Sequence, residues 1–248
     1  MSQLGSAKPA PASMSSDADF RPALIVVDLQ EDFCPPNGAL AVASGRDVIP
    51  VVNALLRLRT FVIRVATKDW HPADHISFAS NHADKQPFVD FCKVVNPYNA
   101  EESYETRLWP VHCVQGTSGA ELVPELEVGL IDKVIEKGTD PRVEMYSAFY
   151  DPFTSPRVSD SGLKDQLREQ GVTDVYVVGL AGDYCVKNTA LDAVAEGFRT
   201  FLVEEGTRAV DAAGWEDCRR EIEEGGVKVV TVRGTEVGRL TGGSDLQL

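Results

Sequence analysis

Six short runs rich in Val and Ile alternate with helical patterns, and this alternation limits the folds open to the chain. The runs fall at 23–27, 61–66, 133–136, 175–179, 200–203 and 227–232. Several are almost wholly apolar, which suits strands covered on both faces, as in a parallel sheet. Between them, 47–59, 163–170, 184–196 and 215–224 carry helical patterns, and Gly171 is placed to cap the second. Strand and helix in turn predict right-handed βαβ units. The expectation is an α/β fold with a doubly wound, mainly parallel six-stranded sheet and helices on both faces. It would occupy residues 20–241, between a disordered tail at 1–19, made of Ser, Ala, Pro and Asp, and a flexible tail at 242–248. One stretch, 72–112, has no clear period and holds four prolines. A structureless loop of that length is either functional or a sign that an element has been missed, and it is taken here as functional.

Charge excludes some partners. Lys and Arg number 24 against 38 Asp and Glu, a net charge of −14. A duplex-binding protein needs cations to displace counterions, and an anionic membrane surface selects for the same. No apolar run approaches a membrane span, and the first twenty residues carry no secretory signal. Five cysteines at 34, 92, 113, 185 and 218 form no CxxC pair, as expected of reduced thiols. The chain therefore reads as intracellular, with the cytoplasm expected and nuclear or peroxisomal import left open, and bound neither to nucleic acid nor to membrane.

In open α/β sheets, ligands bind beyond the carboxyl ends of the strands. Asp28, Asp69, Lys137 and Cys185 follow or end four of the six runs. Cys185 falls in the first turn of a predicted helix, where the helix end lowers a thiol pKa and offers N–H groups to an oxyanion. Asp28 could take the thiol proton and return it to a leaving amine. Lys137 beside both would stabilise their anions. Taken singly, each residue has an ordinary alternative: a buried small thiol, a capping aspartate, a solvated lysine.

All four histidines lie between positions 71 and 112. Asp69-x-His71, with His112 from the far end of the long loop, offers one carboxylate and two imidazoles. Such a set, with open positions, suits catalytic zinc or another divalent metal. His75 could be a fourth ligand or support the others.

Several blocks together resemble the nicotinamidases, a branch of the isochorismatase-like cysteine hydrolases. They are Val27-Asp28-Leu29-Gln30 with Asp32-Phe33-Cys34, then Asp69-Trp70-His71-Pro72, His75-Ile76-Ser77-Phe78, and Trp109-Pro110-Val111-His112-Cys113-Val114-Gln115-Gly116-Thr117. Glu136-Lys137-Gly138, Tyr146-Ser147-Ala148-Phe149 and Gly179-Leu180-Ala181-Gly182-Asp183-Tyr184-Cys185-Val186 complete the series. They run in the family's order over nearly the whole of 23–232.

The resemblance implies that Asp28, Lys137 and Cys185 form a catalytic triad and that Asp69, His71 and His112 hold the metal. It leaves His75 outside the ligand set, because that position binds metal in only some members. It implies that Phe33, Trp109 and Tyr146 flank a pyridine ring. A cis peptide before Ala181 would turn the Ala181 N–H toward the substrate oxygen. The implied reaction is hydrolysis of nicotinamide to nicotinic acid and ammonia in NAD salvage, through a thioester on Cys185. Pyrazinamide is a second candidate substrate, zinc the expected cofactor, and a homo-oligomer is open. Relatives acting on isochorismate or carbamoyl substrates generally lack the Asp/His/His set. A binding protein on the same fold, or a redox role for the thiols, would have little use for all three groups of residues. The segment 81–108 departs from compact members and could be a lid or a partner surface.

Overall fold

The computed structural model describes residues 19–248. The expected disordered tail at 1–19 lies outside the described residues, apart from Asp19. β1 (Pro22–Val27), β2 (Ile63–Asp69), β5 (Lys133–Lys137), β6 (Asp174–Leu180), β7 (Arg199–Arg208) and β8 (Lys228–Val230) form one sheet. Its order is β5-β2-β1-β6-β7-β8, and every pairing is parallel. β1 is buried along its whole length, so its alternate side chains feed two cores. Leu24 and Val26 pack on one face with α1 (Ile49–Leu56) and α5 (Thr235–Leu240). Ala23, Ile25 and Val27 pack on the other with α2 (Leu163–Glu169), α3 (Lys187–Ala195) and α4 (Trp215–Glu224). Helices therefore cover both faces, as the alternation predicts. No helix among the described residues is long and apolar enough to cross a membrane.

The differences lie at element ends and in the long loop. The helix expected over 47–59 is a 3-10 turn, Gly45–Val48, leading into α1, with Pro50 in the first turn, where no N–H is missed. β7 runs on to Arg208, past a register shift. The helix expected from 184 begins instead as a π-helical turn, Gly182–Val186, before α3. Within 72–112 lies an antiparallel hairpin, β3 (Phe91–Asn96) and β4 (Asn99–Arg107). Beyond α5, residues 242–248 carry no helix or strand, and Leu246 rests on the core.

The topology sets the site. β1 and β6 are adjacent at the centre, and β2 and β5 continue the sheet beyond β1. Asp28, Asp69, Lys137 and the turn carrying Cys185 thus meet at the carboxyl ends of neighbouring strands. Gly179 lets β6 approach β1: at φ +118°, a Cβ there would lie 2.0 Å from the Val27 carbonyl oxygen.

Candidate active site

Lys137 is the centre of the site. Its side chain is fully buried, with Nζ 2.9 Å from Asp28 Oδ2 and 2.5 Å from Asp69 Oδ1. Nζ also lies 3.5 Å from Cys185 Sγ and 3.4 Å from the Met145 carbonyl oxygen. One oxygen each of Asp28 and Asp69 lies within 4.8 Å of the other and of Cys185 Sγ. One ammonium therefore joins two carboxylates and a thiol in a space closed to water. Burial works against the Lys137 charge, but Asp28 and Asp69 outweigh it and hold the pKa well above the usual lysine range.

Asp28 sits just past β1 with φ +48°, a left-handed conformation that turns its side chain back over the sheet. Thr67 on β2 fixes it twice: its hydroxyl donates to Asp28 Oδ1 at 2.6 Å and accepts the Asp28 N–H at 3.1 Å. Burial raises the Asp28 pKa, Lys137 opposes this, and Asp69 adds to it. The Cys185 thiol is also pushed well up, by burial first, with Lys137 opposing and Asp28 and Asp69 adding. This reverses the expectation that the helix end lowers the thiol. Two carboxylates in a dry site outweigh a partial charge at the first turn.

Asp69 divides its oxygens. Oδ1 takes Lys137, while Oδ2 lies 3.5 Å from His71 Nε2 and 3.9 Å from His112 Nε2. Burial alone would raise the Asp69 pKa, but the Lys137 ammonium beside it holds it far below the usual carboxylate range. Each imidazole donates its other nitrogen to a carbonyl at 2.8 Å, His71 Nδ1 to Gly138 and His112 Nδ1 to Pro110. Both Nε2 atoms therefore carry lone pairs aimed at one point, and buried His71 Nε2 has no hydrogen-bond partner. Donor separations of this size suit a divalent ion with ligand bonds of about 2.0–2.2 Å. Among the described residues, Asp69, His71 and His112 thus form a donor set that fits a metal. Gly138 makes room for it: φ is +65°, and a Cβ there would lie 2.4 Å from His71 Cε1.

His75 stays outside that set. Its Nδ1 accepts from the Ser77 hydroxyl at 2.8 Å and its Nε2 donates to the Val143 carbonyl at 3.1 Å. The ring stacks on His71 at 4.0 Å between centroids. Burial, with His71 adding, drives its pKa down to about 2, so the ring is neutral.

Beside Cys185 lies a narrow pocket of about 20 Å³, lined by Phe33, Trp109, Tyr146 and Ala181 as well as Asp69 and His112. That is far below the roughly 300–1,000 Å³ typical of ligand sites. A wider depression beside α5 holds no cysteine or histidine and lies away from this chemistry. The cis peptide expected before Ala181 is absent. Among the described residues the cis bonds are Pro35–Pro36 and Ser155–Pro156, and Ala181 follows a trans bond. The chain turns instead through the π-helical turn, with the Val186 N–H donating to the Ala181 carbonyl. The reason for assigning the Ala181 N–H to an oxyanion is thereby removed, while Ala181 itself remains in the pocket wall.

Sequence reasoning missed several residues here. Gln30 is buried and grips the Asp69 backbone on both sides, accepting its N–H and donating to its carbonyl, each at 2.8 Å. Glu144 lines the pocket beside Asp69 and His112, and burial pushes its carboxyl up. Leu40, Tyr184 and Val210 complete the wall. Gln30 stood within the first motif without a role, and Tyr184 beside Cys185. Nothing in the local sequence marks Glu144.

The comparisons with known proteins follow this geometry. Residues 22–234 match the isochorismatase domain, and the chain belongs to that family. A nicotinamidase from Acinetobacter baylyi is 43% identical over 192 residues, 77% of this chain and 83% of that protein. The yeast nicotinamidase Pnc1p bound to the inhibitor nicotinaldehyde superposes with a TM-score of 0.79 at 35% identity, covering 85% of this chain and 99% of that one. A Pyrococcus horikoshii pyrazinamidase in complex with zinc gives 0.65 at 36% identity, over 85% and 99%. Within the family, then, this chain is a hydrolase of the nicotinamidase group.

Proposed function

We propose that this enzyme hydrolyses nicotinamide to nicotinic acid and ammonia through a thioester on Cys185, with a divalent metal, zinc, at Asp69, His71 and His112. The carrying observation is the Lys137 ammonium, which joins the nucleophile, the base and a metal-ligand carboxylate beneath a pocket walled by Phe33, Trp109 and Tyr146. The nicotinamidase relatives and the nicotinaldehyde bound to the yeast enzyme support the substrate. Phe33, Trp109 and Tyr146 offer faces and edges to a flat heteroaromatic.

The steps follow from the charges. Asp28 takes the Cys185 proton, and Lys137 stabilises the thiolate as it forms. The thiolate attacks the carboxamide carbon. We assign the developing oxyanion to the Cys185 N–H and the helix end behind it. Protonated Asp28 then gives its proton to the amide nitrogen, the C–N bond breaks, and ammonia leaves. Asp28, again a base, deprotonates a water that attacks the thioester, and nicotinic acid departs from regenerated Cys185. A bound divalent ion supplies a Lewis-acidic anchor for a ring nitrogen and for water. Asp69, His71 and His112 would hold it, and Gln30 keeps Asp69 in place.

A second ring nitrogen alters neither size nor flatness, so pyrazinamide is the second substrate, in keeping with the pyrazinamidase relative. The reaction would return the pyridine ring of nicotinamide to NAD salvage. Acid quenching during turnover and mass analysis of the Cys185 peptide test the covalent step. A nicotinoyl adduct on Cys185 is expected, and turnover by Cys185→Ala would overturn it.

A further inference from the structure

The hairpin offered by the sequence as a lid or partner surface turns one face of β4 inward. Alternate residues of a strand share a face, and here Glu102, Tyr104 and Thr106 all reach the loop that carries Tyr146. Glu102 accepts the N–H groups of Thr154 and Ser155 at 2.7 and 3.2 Å and the Thr154 hydroxyl at 2.9 Å. The Tyr104 hydroxyl donates to the Glu144 carbonyl at 2.8 Å and accepts the Glu144 N–H at 2.9 Å. Its ring packs 4.9 Å from Phe153. Buried Thr106 shares a 2.9 Å hydrogen bond with the Tyr146 hydroxyl, which also accepts Trp109 Nε1–H at 3.0 Å.

We infer that β4 is a positioning element for the ring pocket, in which Tyr104 sets the backbone at Glu144 and Thr106 orients Tyr146 and, through it, Trp109. The inference rests on the nicotinamidase reading of the site. Neither Tyr104 nor Thr106 lines the pocket. Both act through residues that do. The relay Thr106–Tyr146–Trp109 locks two pocket walls to one another. Without the Thr106 hydroxyl, the phenol loses its second partner, and an imperfectly satisfied buried hydroxyl seeks another rotamer. The walls act on the bound ring alike before and during the reaction, so their misplacement weakens ground state and transition state together.

The test uses the full-length, metal-replete enzyme and the variants Thr106→Val, Thr106→Ser and Tyr104→Phe. For Thr106→Val, KM for nicotinamide should rise about tenfold with kcat within about twofold of wild type, the signature of lost uniform binding. Thr106→Ser, which keeps the hydroxyl, should return KM to within about twofold of wild type. Tyr104→Phe should raise KM in the same direction and supplies the test should Thr106→Val fail to fold. A second readout needs no substrate. The Trp109 indole N–H resonance of ¹⁵N-labelled enzyme, assigned with Trp109→Phe, should move in Thr106→Val and not in Thr106→Ser.

A purely structural brace would lower thermal stability and leave KM alone. Unchanged KM in Thr106→Val and Tyr104→Phe, or an unmoved indole resonance in Thr106→Val, overturns the proposal. If the wild type fails to hydrolyse nicotinamide, the functional reading falls, and the indole resonance still decides the role of β4.

Discussion

Thr67→Val probes the base without touching the pocket. Thr67 is fully buried and makes two hydrogen bonds, both to Asp28. Valine fills the same space but strands a carboxylate oxygen and a backbone N–H, neither within reach of water. A hydrogen bond to a charged group contributes roughly 1.5–3 kcal/mol and a neutral one about 1 kcal/mol, so the variant should lose about 2–4 kcal/mol of stability. The pH dependence follows from the sign of the shift. Burial holds the Asp28 pKa above its unfolded value, and Thr67 is one of the groups restraining it. A raised carboxyl favours folding below the unfolded pKa and loses that contribution as pH rises through the folded one. Removing Thr67 raises it further, so the destabilisation should grow as pH rises through the folded Asp28 pKa. In catalysis the same change moves the acid limb of kcat/KM to higher pH, because Asp28 must be ionised to accept the thiol proton. Urea denaturation across that rise and a pH–rate profile measure both. A loss below about 1 kcal/mol, the net worth of a single neutral hydrogen bond, or an acid limb that stays in place, would refute the reasoning.

Other predictions address the metal ligands and their neighbours. Purified wild type should carry about one equivalent of divalent metal by elemental analysis, and His112→Ala well under that, since two remaining ligands hold an ion poorly. Gly138→Ala should also lose metal while keeping the far-ultraviolet circular dichroism of the fold, because its Cβ would meet His71 Cε1 at 2.4 Å. Wild-type levels in either variant would count against the assigned site. His75, depressed to about 2, stabilises the fold in its neutral form above the unfolded histidine value and loses that contribution as pH falls toward the folded one. Its replacement in His75→Asn should flatten the pH dependence of the unfolding free energy from urea titrations between pH 6.5 and 4, by up to roughly 1.4 kcal/mol per pH unit.

The sheet was legible because its central strands, β1 and β6, are buried on both faces, and Val and Ile runs such as 23–27 declare that directly. The site followed, since the parallel topology brings Asp28, Asp69, Lys137 and Cys185 to one edge. The hairpin did not show. β4 reads Asn-Ala-Glu-Glu-Ser-Tyr-Glu-Thr-Arg, and its inward positions Glu102 and Thr106 bond to a loop rather than to an apolar core. A pattern of hydrophobicity cannot reveal a strand held by polar contacts. Glu144 was hidden for a related reason. It reaches the pocket through the path of the 138–146 loop, which has no period of its own. The thiol shift was hidden because the helix end is local and visible in sequence, whereas burial and two carboxylates from other strands, which oppose it, are tertiary.

The arrangement also explains why single residues argued weakly and their assembly argues strongly. Lys137 alone would be a solvated lysine. Buried between Asp28 and Asp69, it balances one of two negative charges, and the remaining negative charge suits a divalent cation across Asp69 Oδ2. Lys137 bridges Asp28 to Asp69, so the proposed triad and the proposed metal ligands form one electrostatic unit.

The most direct test of the whole account is ammonia release from nicotinamide by purified metal-replete enzyme, beside a chelated sample and Cys185→Ala. The account predicts turnover in the first and its loss in the other two. Turnover surviving in Cys185→Ala, or none in the metal-replete wild type, would contradict it.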